Sequence, residues 1–410
     1  MIKKILRNSS YLIISQSLTK VLAFFYTLFL VRNLAVEEFG LYSVALSYFS
    51  IIAAIADFGI VRYLIREVAK DNSLSKKILG DVFFLRVGMT VILYAVFSLF
   101  ILLFDSDHAR STLTVLAVLA VIPQAVAFSF DGVFVAQQKL KYSALGQFVL
   151  SLSSIGFGTF LITNGYGPYA PVIAIVLAHI IYAFFMLYLL RINGIFFTLS
   201  FPSKKIIREI FSASLPYGLL GALGLIYFRI DIIMLSYMRG AYETGIYGAA
   251  YKFLEAIVFI PSAVSAAIFP IFSLMHHNEQ TQIKKLYFQS MIIMSILSLI
   301  VLAGFLFILP FFVAYFFPKY YESIPIIQIL AFAIPFIFIH SPGIQLLLST
   351  DRFLKPVIIL SLFTLGFNVI TNYFFITWFG MYGAAFTTVL SEILSFIIFF
   401  AIAYKKILKA

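Results

Sequence analysis

Long apolar runs separated by short polar stretches recur along the whole chain. A helix crossing the hydrocarbon core of a bilayer takes about 20 mainly apolar residues. Runs of that length lie at roughly 9–31, 41–62, 82–104, 112–136, 143–163 and 169–190 in the first half. The second half has them at roughly 213–235, 246–274, 286–312, 324–349, 357–377 and 381–404. The runs are too long and too uniformly apolar for the alternating strands of a membrane barrel. In lipid a helix satisfies its own backbone hydrogen bonds. The pattern therefore predicts an all-α integral membrane protein with twelve transmembrane helices. The longest connection, Arg191–Arg208, contains the breakers Asn193, Gly194, Pro202 and Ser203. It divides the chain into a lobe of helices 1–6 (residues 1–195) and a lobe of helices 7–12 (residues 196–410).

Composition agrees with this reading and excludes a soluble cytosolic enzyme. Of the 410 residues, 62% are hydrophobic and 11% charged, against about 25% charged in a soluble domain. The chain has no Cys, which removes disulfides, thiolate nucleophiles and Cys-based metal sites. Lys3, Lys4 and Arg7 precede the first apolar run. That run exceeds the 7–15 residues of a signal-peptide core and is read as helix 1.

The net charge of +12 would suggest a polyanion partner in a soluble protein. Here its placement explains it. With the N-terminus in the cytoplasm, one set of helix ends collects 21 of the 29 Lys and Arg. The opposite ends have only Arg32, Arg110, Arg239 and Lys319. The positive-inside rule then places both termini in the cytoplasm, and no nucleic-acid surface is called for.

The halves also resemble each other. Glu38-Phe39-Gly40-Leu41-Tyr42 before helix 2 corresponds to Glu243-Thr244-Gly245-Ile246-Tyr247 before helix 8. Lys76-Lys77 corresponds to Lys284-Lys285, and Gly167 with Tyr169 to Gly380 with Tyr382. Six helices per half keep both halves in the same orientation, a parallel pseudo-repeat of the kind found in transporters. Such an arrangement implies a cleft between two lobes.

Ionisable groups deep in a bilayer cost roughly 2.5–3.5 kcal/mol each on insertion scales, so each calls for a reason. Lys20, Arg86, Arg229 and Lys252 are the basic ones and form the candidate substrate-binding set. Asp57, Asp131, Asp231, Glu255 and Glu392 are the acidic ones. Of these, Asp57, Asp231, Glu255 and Glu392 are candidates for ion coupling or buried pairing. Lys20 lies midway along helix 1 and either faces a wet cavity or pairs with a carboxylate such as Asp57. Arg86 is close enough to the helix end to snorkel to the cytoplasmic face. Asp57, with Arg62, Arg66 and Glu67 beyond it, suits ion pairing at the end of helix 2. Arg229 and Asp231, two apart, occupy different faces of helix 7. Lys252 and Glu255, three apart, share a face and form either an ion pair or a cation beside a proton-exchanging carboxylate. Pro123, Pro216, Pro261, Pro270, Pro335 and Pro342 suit kinks in helices 4, 7, 8 and 10.

Other chemistry lacks support in the sequence. No G-x-x-x-x-G-K-[ST] loop for ATP is present. His276-His277 has no further ligand cluster, and His179 and His340 are isolated within spans, so no metal or cofactor is expected. No large outer loop offers the carboxylates of a glycan polymerase or ligase.

Arg32-x-Leu34 followed by Glu38-Phe39-Gly40-Leu41-Tyr42 resembles the first loop of the polysaccharide flippases. These are the O-antigen and capsule exporters of the multidrug/oligosaccharidyl-lipid/polysaccharide superfamily. Asp57-Phe58-Gly59 with Arg66-Glu67, and Asp231 to Leu235 with Glu243-x-Gly245-Ile246-Tyr247, are similar to further motifs of that family. Ala35 departs from its usual Gly. The resemblance covers essentially the whole chain and implies a fold like that of the multidrug (MATE) transporters. It implies export of a polyprenyl-pyrophosphate-linked oligosaccharide across the cell's inner (plasma) membrane by alternating access, without enzymatic chemistry. Partners would be the lipid-linked oligosaccharide, membrane lipids, and glycosyltransferases and a polymerase of the same pathway. Two alternatives remain: a multidrug or small-molecule antiporter of the same fold, and an integral-membrane glycan polymerase or ligase. A lipid II-type flippase usually has two more helices.

Overall fold

A computed structural model describes residues 2–275 and 280–405, and among these residues the regular structure is entirely helical. The first half contains α1 (Ile2–Asn33), α2 (Val36–Asp57), α3 (Ile60–Lys70), α4 (Ser75–Phe104), α5 (His108–Leu119), α6 (Val121–Ala136), α7 (Leu140–Thr163) and α8 (Tyr169–Ile192). The second contains α9 (Lys204–Arg239), α10 (Ala241–Ile257), α11 (Phe259–Met275), α12 (Gln280–Ala303), α13 (Leu309–Phe316), α14 (Ser323–Ala331), α15 (Ile334–Leu348) and α16 (Leu354–Ala403).

Proline accounts for most of the interruptions. It has no N–H to give the carbonyl four residues back. Chain breaks accordingly fall three residues before Pro123 (α5/α6), Pro261 (α10/α11) and Pro335 (α14/α15). The last of these bends the pair by 42°. In contrast, α9 continues as one helix through Pro216. A π-helical segment at Gly304–Ile308 lies just ahead of Pro310, between α12 and α13.

Among the described residues, nine helical stretches have the length and hydropathy of a membrane span, and the α14–α15 pair makes ten. α16 holds two of the expected spans, joined where Gly380 leaves helical geometry at φ 57°, ψ −134°. With α16 divided there and α1 added, each of the twelve expected spans has its helix. The chain is a multi-pass membrane protein.

The second span ends differently from its hydropathy pattern. Phe58 (φ 43°) and Gly59 (φ 77°) both turn left-handed, and the chain restarts as the amphipathic α3. Ile60, Tyr63, Leu64 and Val68 form the buried face of α3. Only glycine fits position 59, because a Cβ there would approach the Ser214 carbonyl oxygen at 2.7 Å.

The chain packs as two compact units, Met1–Arg229 and Ile230–Ala410. Division by packing falls inside α9, later than the division by spans, because linker residues from Ile195 onward pack on unit 1. In unit 1, 56% of the apolar window across α5–α6 is buried, against 17% in α4 and in α7. The α5–α6 span is therefore central in its unit and the other two present apolar side chains outward. The repeat motifs meet in corresponding ways: Glu38 lies against Gly167 in unit 1, and Glu243 against Gly380 in unit 2.

Candidate functional site

Unit 2 contains a buried carboxylate held by neutral groups. Asp231 sits in α9 and is 3% exposed. Its Oδ1 accepts from Asn372 Nδ2 at 2.7 Å, and its Oδ2 from Thr388 Oγ1 at 2.8 Å and the Tyr247 hydroxyl at 3.1 Å. Asn372 also donates to Asn368 Oδ1 at 3.1 Å, and Asn368 Nδ2 donates to Ser391 Oγ at 3.2 Å. The geometry follows from helix spacing. Asn368 and Asn372 are i, i+4 neighbours on one face, and the turn at Gly380 folds the second half of α16 back so that Thr388 and Ser391 reach the same place. Three neutral donors orient the carboxylate and none compensates its charge.

The other acidic candidates have different surroundings. Glu392 is buried, with Oε2 3.6 Å from His340 Nδ1. Glu255 pairs with Lys252 Nζ at 2.9 Å, one helical turn apart in α10, the intrahelical pairing their spacing allows. Asp57 pairs across helices with Arg86 Nη2 at 2.9 Å. Asp131 of α6 faces Ser143 of α7 and Tyr182 of α8.

The basic candidates fall into two groups. Arg86 is 2% exposed, and its Nη1 donates to the Ala125 carbonyl at 3.0 Å and to Ser129 Oγ at 3.3 Å. It ties α4 to α2 and α6 instead of snorkelling outward. Burial of Asp57's partner also alters the expected role of that carboxylate, which binds Arg86 across the unit. Lys20, in contrast, is exposed on α1. Arg229 is half-buried at the end of unit 1, with Nε and Nη1 enclosed, and Lys252 is half-buried beside Glu255. His276 and His277 lie outside the described residues.

Sequence reasoning identified Asp231 but missed the groups around it. A search for charges passes over Asn368, Asn372 and Thr388. Two carboxamides at i, i+4 in an otherwise apolar span were the available signal. His340, read as isolated, faces Glu392.

Residues 5–276 match the family model described as polysaccharide biosynthesis protein, and residues 216–374 match that of the MatE family. An uncharacterized membrane protein of Methanocaldococcus jannaschii is 25% identical, over 94% of this chain and 81% of its own. Among solved structures, the inward closed conformation of the lipid II flippase MurJ superposes with a TM-score of 0.76 at 15% identity, covering 95% of this chain and 86% of that one. The inward-facing conformation of a multidrug resistance MATE family transporter of the MOP superfamily gives 0.72 at 18% identity, covering 93% and 94%. At these identities the likeness establishes a shared fold.

Proposed function

We propose that this chain, which belongs to the polysaccharide biosynthesis protein family, flips a polyprenyl-pyrophosphate-linked oligosaccharide from the inner to the outer leaflet of the cell membrane. The observation that carries the reading is Lys20. An exposed ammonium midway along an apolar membrane helix is costly against lipid and is served by an aqueous path for a polar head group. Lys and Arg are natural phosphate binders, and Arg229 and Lys252 are the further cations for the pyrophosphate. Arg86, buried and engaged by Asp57, acts in this reading by holding unit 1 together.

The transport cycle is alternating access without covalent chemistry, and both termini lie in the cytoplasm. Asp231 is the coupling carboxylate, exchanging a proton or sodium ion as the cycle resets. Glycosyltransferases and a polymerase of the same pathway supply and consume the cargo. Reconstituted liposomes with a fluorescent lipid-linked oligosaccharide test the activity directly. Protein-dependent appearance of the label in the outer leaflet is expected, and a rate equal to that of empty vesicles rejects the reading.

A second reading, a multidrug antiporter, draws on the match of residues 216–374 to the MatE family. A drug-susceptibility panel separates the two. The flippase leaves susceptibility unchanged, while the antiporter raises resistance.

A further inference from the structure

Unit 1 contains a cavity that this transport reading leaves unused. An apolar slot of about 810 Å³ lies between α4, α6, α8 and the linker that follows α8. Val126, Phe130, Ala183 and Leu187 are among its walls. The linker closes one side and is firmly seated. Ile195 is buried, and the Phe197 ring packs against Phe83 and Phe130 at 5.4 and 5.5 Å. Ser200 Oγ donates to Asp81 Oδ1 at 2.5 Å. A Cβ on Gly80 would collide with the Thr198 carbonyl, so the linker lies directly on α4.

The slot continues into a recess of different character. Ile195 and Phe196 line both, and the recess, about 360 Å³, is otherwise polar. Asn72, Gln137 and Asn193 contribute amides, and Lys76 and Lys139 contribute two positive charges. Among the described residues no Asp or Glu lines either cavity, and Arg191 is one of the residues lining the slot. An apolar slot opening into a basic, amide-rich recess complements one kind of molecule, an amphiphile with an anionic head and a hydrocarbon tail. A free anion would leave the slot unfilled, and a zwitterionic lipid would bring a cationic head group beside the two lysines, which repel it.

We propose that slot and recess together bind an anionic phospholipid of the surrounding membrane, with its phosphate between Lys76 and Lys139 and a hydrocarbon chain in the slot. The inference is independent of the cargo. Native mass spectrometry of the purified full chain, titrated with phosphatidylglycerol or phosphatidylcholine, tests it. Two lysines favour the anionic lipid by about 30-fold. The double variant Lys76→Gln/Lys139→Gln binds the two lipids alike, and Lys76→Arg/Lys139→Arg keeps the preference. Ala183→Phe, which fills the slot, weakens both lipids. Equal binding of the two lipids by the unaltered protein overturns the proposal, as does an undiminished preference in the glutamine variant. Displacement of phosphatidylglycerol by inorganic phosphate or by polyprenyl phosphate at equal concentration overturns it too, in favour of a free anion or the carrier lipid.

Discussion

Glu243, at the start of α10, accepts the backbone N–H of Met381 on its Oε2 at 2.8 Å. That amide follows Gly380, where the two spans of α16 meet at positive φ. The carboxylate therefore fixes the turn that brings Thr388 and Ser391 back toward Asp231. In unit 1 its repeat counterpart, Glu38, accepts the Ala35 N–H at 2.9 Å and lies against Gly167. Arg239 supports the same turn in unit 2, donating to the Ile376 and Thr377 carbonyls at 3.0 and 2.6 Å. Removing an acceptor from a half-buried amide costs about 1–3 kcal/mol. Glu243→Ala is expected to lower thermal stability in detergent by that order. Gly380→Ala is expected to cost at least as much, because it combines positive φ with a Cβ that would collide with Glu243 Oε2. An unchanged melting temperature in both variants would show that the turn holds without the carboxylate.

Asp231 makes its hydrogen bonds to neutral donors, so its charge is available to a mobile cation. Asp231→Asn keeps the shape and removes the charge. The expected result is a transporter that no longer responds to an imposed proton or sodium gradient, measured as leaflet transfer in liposomes. Asn372→Ala should weaken the ion response in the same direction while leaving the carboxylate in place. A gradient response that survives Asp231→Asn would place coupling elsewhere, with Glu392 beside His340 as the next candidate.

How far the sequence carries depends on the kind of signal. Span positions were legible because an apolar run of membrane length has few other uses, and prolines marked where those runs break. The repeat was legible through Glu38 and Glu243, whose spacing from Gly167 and Gly380 reflects the same turn contact in both units. Side-chain partnerships were not legible. Arg86 and Asp57 are far enough apart in sequence that nothing local links them, and Arg86 read equally well as an interfacial cation. Asn368 and Asn372 carry no charge and so raised no insertion cost large enough to stand out. The lipid-sized slot was hidden for another reason: its wall is the linker, whose Gly and Pro signalled a boundary, whereas its phenylalanines determine where it packs.

Arg86 and Asp57 form the polar tie at the centre of unit 1. Their side chains are 3% and 34% exposed, so the arginine bears most of the desolvation. Breaking a buried pair from one side leaves an uncompensated charge and costs about 3–5 kcal/mol. Asp57→Ala, which strands the guanidinium, is expected near the lower end because the Ala125 and Ser129 contacts remain. Arg86→Met with Asp57→Leu should recover most of the loss, since apolar replacement of both partners is often close to neutral. A double-mutant cycle on thermal unfolding in detergent measures the coupling, and additive single-variant costs would show that the pair is not a structural tie.

Lys20 and Lys252 separate binding from packing. Lys20 is exposed, so Lys20→Ala should leave melting temperature within the range of surface substitutions, about 0.5 kcal/mol, while abolishing surface-glycan complementation. Lys20→Arg should restore it, because either cation meets a pyrophosphate. Lys252 holds Glu255. If Lys252 serves the substrate, Lys252→Gln loses complementation and Glu255→Gln does not, because removing the carboxylate frees the ammonium for phosphate. Should both variants fail equally and both lower the melting temperature, the pair is structural and the pyrophosphate rests on Lys20 and Arg229. Full complementation by both Lys20→Ala and Lys252→Gln at normal expression would remove the basis for a cationic cargo path.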